Sequence, residues 1–296
     1  MTTPTGTRLV SIGVPTYNRV VSLERALKSA LAQDYEAVEI IISDNASTDG
    51  TGAFCEGVAA TDARVRYIRQ SSNRGAAANF RTVLAEAHGE FFMWLGDDDW
   101  MDKSYVSRCV SILGADPSYS IVAGSDRYFV GEKFDRDGLR LNLEERTGQD
   151  RVASYFRQVS MNGVFYGLMR RNVVSSVPID DILGGDWFMV AAMAFLGKIR
   201  VLDDVYINRS ADGVSSDASV LTSKFQLSKF QRANPFLTIA ISAFTDIAWR
   251  SSVYASLGTR RRIALAGQVF RAIVRRHYSP GHVPTLARQL FSLRGT

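Results

Sequence analysis

Three adjacent carboxylates, Asp97-Asp98-Asp99, close the apolar run Phe91-Phe92-Met93-Trp94-Leu95-Gly96. Neighbouring negative charges repel, so holding them at the mouth of a fold costs free energy unless positive charge lies close by. A divalent cation on hard carboxylate oxygens is one way to supply that charge. A solvated turn in which one aspartate caps the next helix is the other, and this window alone leaves both open. Three more segments carry groups of the same kind: Pro15-Thr16-Tyr17-Asn18-Arg19, the stretch from Ser43 to Gly50, and Asn73-Arg74-Gly75. Asp44 and Asn45 can exchange hydrogen bonds with a base edge, and Arg74 can neutralise phosphate. If one edge gathers these groups, they make a pocket for a nucleotide diphosphate bridged by Mn2+ or Mg2+.

The elements between these segments predict such an edge. Leu9 to Val14 is a strand candidate closed by Pro15, which cannot donate to a ladder. Ser22 is placed to cap a helix with Leu23, Leu27 and Leu31 on one face. Val38 to Ile42 is a β-branched second strand running into Asp44, Val65 to Ile68 a third running to Asn73, and Phe91 to Leu95 a fourth ending on the aspartates. Helices with Phe54 and Val58, and with Phe80, Val83 and Leu84, fall between them. Four such units predict an α/β, Rossmann-like, mostly parallel sheet flanked by helices, whose ligands sit beyond the carboxyl ends of the strands. Further on, Tyr119 to Gly124 reads as a strand and 131–149 as an irregular surface excursion. Val164 to Met169 reads as a strand again, Ile199 to Leu202 and Val205 to Ile207 as two short strands. Asp186 is placed to cap a helix that begins at Trp187.

Composition excludes several classes. With 296 residues, 46% hydrophobic and 22% charged, the chain can bury a substantial core. Two isolated cysteines, Cys55 and Cys109, give neither a disulfide framework nor a zinc site and fit a reducing compartment. The polar start predicts no secretory signal, and no apolar run is long enough to span a bilayer, so a cytoplasmic chain is expected. No GxxxxGK[ST] or GxGxxG loop occurs, which removes the main support for ATPase, kinase and dinucleotide readings.

The ordered set Val14-Pro15-Thr16-Tyr17-Asn18, Ser43 to Thr51, Asn73-Arg74-Gly75 and Gly96-Asp97-Asp98-Asp99-Trp100 resembles the family 2 glycosyltransferases of GT-A fold, over roughly residues 8–210. The resemblance implies that Pro15, Thr16, Tyr17, Asp44, Asn73, Arg74, Asp97 and Asp98 hold a UDP-, GDP- or dTDP-sugar donor. It implies that Asp99, with Asp97, takes Mn2+ or Mg2+, and that Asp186 is the general base of an inverting transfer to a hydroxyl acceptor. The chain departs from the pattern in three places. Gly96 stands where the acidic motif often begins with aspartate, and Gly185 where the first member of a Glu-Asp pair usually stands. The late segment 206–215 lacks the frequent histidine, whose charge Arg209 can replace. Gln226 to Phe230 faintly resembles the QxxRW motif of processive synthases, but Lys229 and Phe230 stand where its arginine and tryptophan would, which favours transfer of a single sugar. A non-catalytic nucleotide-sugar-binding module, or a sugar nucleotidyltransferase, are the competing classes; the latter's Gly-rich first loop is missing.

Residues 1–215 are therefore expected to form the catalytic domain and 216–296 a mostly helical, basic extension. After Asp246 there is no acidic residue and nine arginines follow. Leu265, Val269, Ile273 and Val274 recur at helical spacing among Arg262, Arg271, Arg275 and Arg276. That pattern suits a solvated helix or a peripheral contact with the inner face of the cell membrane, where a lipid-linked acceptor would lie; a nucleic-acid partner is not expected. Homo-oligomerisation is left open.

Overall fold

In the computed structural model, which describes residues 8–211 and 225–278, the run Val10–Thr16 forms β1, buried along its whole length. β2 (Val38–Asp44) and β4 (Phe91–Trp94) flank it in parallel, and β3 (Val65–Arg69) lies outside β2. Because side chains alternate across a strand, Ile40 and Ile42 enter one apolar layer and Ile41 the other. Such double-sided burial is what an uninterrupted β-branched run encodes. Register then brings the strand ends together: Thr16 lies opposite Asp44, and Asp44 opposite Arg69. Helices α1 (Val20–Leu31), α2 (Thr51–Thr61) and α3 (Ala76–Ala85) connect these strands.

Beyond β4 the sheet becomes mixed. β5 (Trp100–Met101) and α4 (Tyr105–Ala115) lead to β6 (Tyr119–Val130) and β7 (Lys133–Asp137); then come α5 (Gly148–Gln158), β8 (Leu168–Arg170), α6 (Arg171–Val174), α7 (Gly185–Leu196) and β9 (Lys198–Ser210). The order is β3-β2-β1-β4-β8-β6-β9-β5, with β7 paired to β6. The long pairings are parallel and the antiparallel ones short. The α/β class with a mostly parallel sheet therefore stands.

Several local expectations are corrected. Helix α1 starts at Val20, and Ser22 sits inside its first turn, its hydroxyl donating to the Arg19 carbonyl. The Arg19 N–H is instead held by Thr51 Oγ1, which fixes the chain entry one turn earlier. The stretch 131–149 is not all irregular: β7 pairs with β6, and Leu143 exchanges backbone hydrogen bonds with Ile199 while Leu141 and Leu143 are buried. Gly163–Tyr166 is a 3-10 turn, with strand only from Leu168. The two short strands expected at 199–207 are one, β9, whose register shifts opposite Gly124 and Ser125.

The later chain forms α8 (Lys229–Ala233), capped by Ser228 through a capping box, then α9 (Pro235–Thr245), a π turn at Asp246–Arg250, a 3-10 turn at Ser252–Leu257 and α10 (Gly258–Tyr278). Leu265, Val269 and Ile273 of α10 are buried in the same apolar cluster as Met189 and Val190 of α7. The stripe that suited a solvated helix or a peripheral membrane contact is thus largely a core face, with Val274 partly buried against it. No described helix is long and apolar enough to cross a bilayer. Residues 212–215 of the late segment lie outside the described residues.

Candidate active site

The carboxyl ends of β1 and β4 meet through one hydrogen bond: Thr16 Oγ1 donates to Asp97 Oδ2 at 2.8 Å. Burial lifts the Asp97 carboxyl to about 6, against the pull of the Thr16 hydrogen bond. Asp98 pairs with Arg19, Nη1 to Oδ2 at 3.3 Å. Its carbonyl accepts from Arg25, whose guanidinium stacks 3.6 Å from the Trp100 ring centroid. Beneath them, buried Asn79 on α3 accepts from the Ser43 hydroxyl and donates to the carbonyls of Thr16 and Ser43, locking the ends of β1 and β2 together. Pro15 is buried in register with Ser43, and Tyr17, 42% exposed, is the side chain of this strand end that faces outward.

Asp44 lies completely buried at the end of β2, its Oδ1 accepting from the Ser47 N–H at 2.8 Å and its Oδ2 from the Tyr67 hydroxyl at 2.9 Å. It shapes the loop that follows, where Ala46 adopts a positive φ of 63°. Asn45 joins this loop to the next: its amide donates to Asn73 Oδ1 at 2.8 Å and its carbonyl accepts from the Arg74 N–H at 2.9 Å. Gly75 completes the clip at a φ of 82°, a conformation that glycine adopts without strain. The Arg74 side chain itself is exposed and makes no ion pair among the described residues. Asn73 and Arg74 are therefore brought beside the β2 end.

Asp99 is almost fully buried and meets Arg209 near the end of β9, Nε to Oδ2 at 3.4 Å. The same guanidinium lies 3.9 Å from Asp126 Oδ1 and 4.1 Å from the ring centroid of Tyr166. Two glycines make room for Asp126. A Cβ on Gly163 would fall 1.5 Å from its Oδ2, and one on Gly138 would fall 2.5 Å from its Cβ. Asp126 Oδ1 is buried without a hydrogen bond. Burial raises the carboxyls of both Asp99 and Asp126, the latter to about 6, and Arg209 opposes the shift in each. Gly96 belongs to this packing too, because a Cβ there would meet Asp99 Oδ2 at 2.8 Å. The lost leading carboxylate leaves room for Asp99 to fold back over its own turn.

Asp186 stands in the first turn of α7, after Gly184 in the left-handed conformation. The residue is exposed, yet the protein around the carboxylate raises its pKa, while the Asn162 amide, donating to Oδ2 at 2.9 Å, counters the rise. Arg209 and Tyr166 pack together beside Asp99 and Asp126. Arg209 stabilises charge on both Asp99 and Asp186, and the Tyr166 phenol is raised by burial and by Asp98, Asp99 and Asp186 together. Asp126, Asn162 and Tyr166 carry no motif that singles them out; the one clue is Asn162-Gly163, a turn signal directly before an aromatic run.

Among the described residues no group of three carboxylate, histidine or cysteine ligands converges on a point. The chemistry of the donors nevertheless suits a hard cation completed by substrate phosphates, which needs only one or two carboxylates. Asp97 and Asp99 are enclosed carboxylates held above their usual pKa, so added positive charge is favourable beside them.

The sequence pattern of glycosyl transferase family 2 matches residues 11–177, which hold β1 through β8 and both acidic strand ends. The chain belongs to this family. A beta-1,3-glucosyltransferase of Campylobacter jejuni, named for its GalNAc(5)-diNAcBac-PP-undecaprenol substrate, is 28% identical over 187 residues, covering 60% of this chain. The chain spans about half of that relative's length, 56%. An uncharacterised protein of Mycobacterium tuberculosis is 28% identical over 274 residues, 90% of this chain and 74% of its own. Among solved structures, TarS residues 1–349 of S. aureus in complex with UDP-GlcNAc superposes with a TM-score of 0.56 at 18% identity, covering 90% of this chain and 81% of TarS 1–349. A mannosyltransferase of Pyrobaculum calidifontis in complex with GDP-Man and Mn2+ gives 0.54 at 19% identity, covering 92% and 88%. These likenesses establish the GT-A fold for the family 2 chain.

Proposed function

We propose that this family 2 chain transfers one sugar, with inversion, from a nucleotide-diphosphate sugar to an acceptor hydroxyl. The observation that carries the reading is a convergence beside one sheet edge: Asp97 fastened to Thr16, Asp99 to Arg209, and Asp186 held by Asn162, whose neighbour Gly163 packs on Asp126 next to Arg209. Tyr17 offers an exposed ring against which a base can stack. Arg74 offers a free guanidinium to phosphate, and the Asn45–Asn73 clip fixes its backbone. Asp44 serves the nucleotide by holding the loop that receives it.

Asp97 and Asp99 are the residues that would hold Mn2+ or Mg2+. Bound there, the ion supplies positive charge to the departing diphosphate. Arg209 adds a second positive charge in the same place, doing the work of the histidine that the segment lacks. Asp186 accepts the acceptor's hydroxyl proton as its oxygen bonds to the anomeric carbon, and the bond from that carbon to the diphosphate oxygen breaks. A pKa raised by enclosure brings Asp186 closer to the operating range of a general base, and Asn162 aims it. The undecaprenol-linked substrate in the name of the Campylobacter relative favours a lipid-linked hydroxyl as acceptor.

Incubating the chain with UDP-, GDP- and dTDP-sugars, Mn2+ and lipid-linked acceptors tests the reading by release of nucleoside diphosphate. Release with one donor supports it. Pyrophosphate exchange would instead assign a nucleotidyltransferase, and donor binding without any product would assign a binding module.

A further inference from the structure

Helices α9 and α10 run antiparallel, joined near one end by the Leu237 N–H donating to the Tyr278 hydroxyl at 3.1 Å and further along by Phe244 against Phe270 at 6.5 Å. Their inner faces, Ile239, Ala240 and Ala243 on one and Leu265, Val269 and Ile273 on the other, are core. The outer side is also apolar. Ile241 is 49% exposed, Ile263 42% and Trp249 59%, and Trp249 meets Phe244 edge-on at 5.4 Å. Large apolar side chains gathered in this way mark a contact surface.

Charge says which contact. Arg250 is paired with Asp180, Arg262 donates to the carbonyls of Ile247 and Ser251, and Arg276 to that of Arg157. Arg260, Arg261, Arg271 and Arg275, in contrast, are exposed and make no side-chain hydrogen bond or ion pair among the described residues. Helical spacing sets Val274 one turn from both Phe270 and Arg271, and Arg275 one turn from Arg271, and no acidic residue follows Asp246. A second copy docked through this face would set arginine against arginine with no carboxylate of α10 to pair them. An indole ring beside unpaired guanidinium groups instead matches the interface of a bilayer with anionic headgroups.

We propose that the face built from Ile241, Phe244, Trp249, Ile263, Phe270 and Arg271 docks on an anionic lipid surface. The apolar side chains enter the headgroup boundary and the arginines pair with lipid phosphates. The other side of α9 packs Ile239 against Gly184, and Arg250 holds Asp180, so the docked helix buttresses the loop that leads to Asp186. The surface is independent of the sugar-transfer reading and would stand if that reading failed.

Flotation of the full chain with vesicles tests the proposal without any turnover. The chain should float with phosphatidylcholine vesicles containing phosphatidylglycerol and stay behind with phosphatidylcholine alone. Arg271→Gln and Arg275→Gln should each lower partitioning about fivefold with unchanged melting. Vesicles carrying brominated acyl chains should quench tryptophan fluorescence in the wild type and much less in Trp249→Phe. Equal flotation on neutral vesicles, no flotation at all, or flotation indifferent to both arginines would overturn the proposal. So would a concentration-dependent dimer that Trp249→Ser breaks while vesicles leave the chain unbound.

Discussion

Arg209 Nε lies 3.4 Å from Asp99 Oδ2, joining the last long strand to the acidic turn after β4. This contact spans more than a hundred residues and places one positive charge among Asp99, Asp126 and the Tyr166 ring. Removing one partner of such an enclosed pair leaves an uncompensated charge. Arg209→Gln should therefore cost about 3 kcal/mol of stability in urea unfolding. Adding Asp126→Asn to that variant should recover part of the loss, because one of the stranded carboxylates is then neutral.

Gly163 allows the Asp126 carboxylate to lie against its backbone, where a Cβ would overlap Oδ2. Gly163→Ala should destabilise the fold by roughly 2–3 kcal/mol through overpacking. Gly131→Ala is no suitable control, since Gly131 has a φ of 60°; Gly57→Ala, on an exposed turn of α2 with nothing near the new methyl, should be neutral or mildly stabilising. Thermal unfolding of the two variants side by side checks the contrast.

Asn45 ties the β2 end to Asn73 and Arg74 without meeting the proposed reacting atoms. In Asn45→Ala the loop carrying Arg74 loses its anchor. The donor KM should then rise about tenfold, roughly 1.4 kcal/mol, while kcat changes little.

Asp246 provides a pH signature away from the acidic edge. Burial first, and Asp180 second, raise its carboxyl to about 6 against the pull of Arg250 and Arg262. A carboxyl that holds its proton more tightly in the folded state contributes stability at low pH, and that contribution is lost as pH rises from the unfolded value of about 4 through the folded value. Asp246→Asn should match the wild type near pH 4 and exceed it by roughly 2 kcal/mol at pH 7 in urea titrations. A constant difference across that range would assign the effect to packing.

Much of this organisation was legible in the residues. Runs such as Val38–Ile42, β-branched at every position but Glu39 and too short for a helix, point to buried strands, and each stops on polar residues that favour turns, so the shared edge followed. What stayed hidden depends on contacts between distant segments. Ser22 had the right type for a cap, but the tether from Arg19 to Thr51 starts the helix earlier. Leu141 and Leu143 sit in a charged stretch whose apolar residues gain meaning only from Ile199. The stripe Leu265, Val269, Ile273 gave the correct amphipathic period but not which partner buries it. Asp126 and Asn162 are ordinary turn-type residues in the sequence; only the fold brings Asp126 to Arg209 across the sheet and Asn162 to Asp186 at the start of α7.

Whether Asp186 takes the acceptor's proton is read most directly from Asp186→Asn, with donor affinity and turnover measured on the same preparation. Asparagine can keep a hydrogen bond with Asn162 but cannot accept the proton. Calorimetric affinity for the nucleotide-sugar should be unchanged and kcat should fall at least a hundredfold. Turnover close to wild type would contradict it, as would loss of donor binding in parallel with activity, which would make Asp186 a structural residue of the α7 turn.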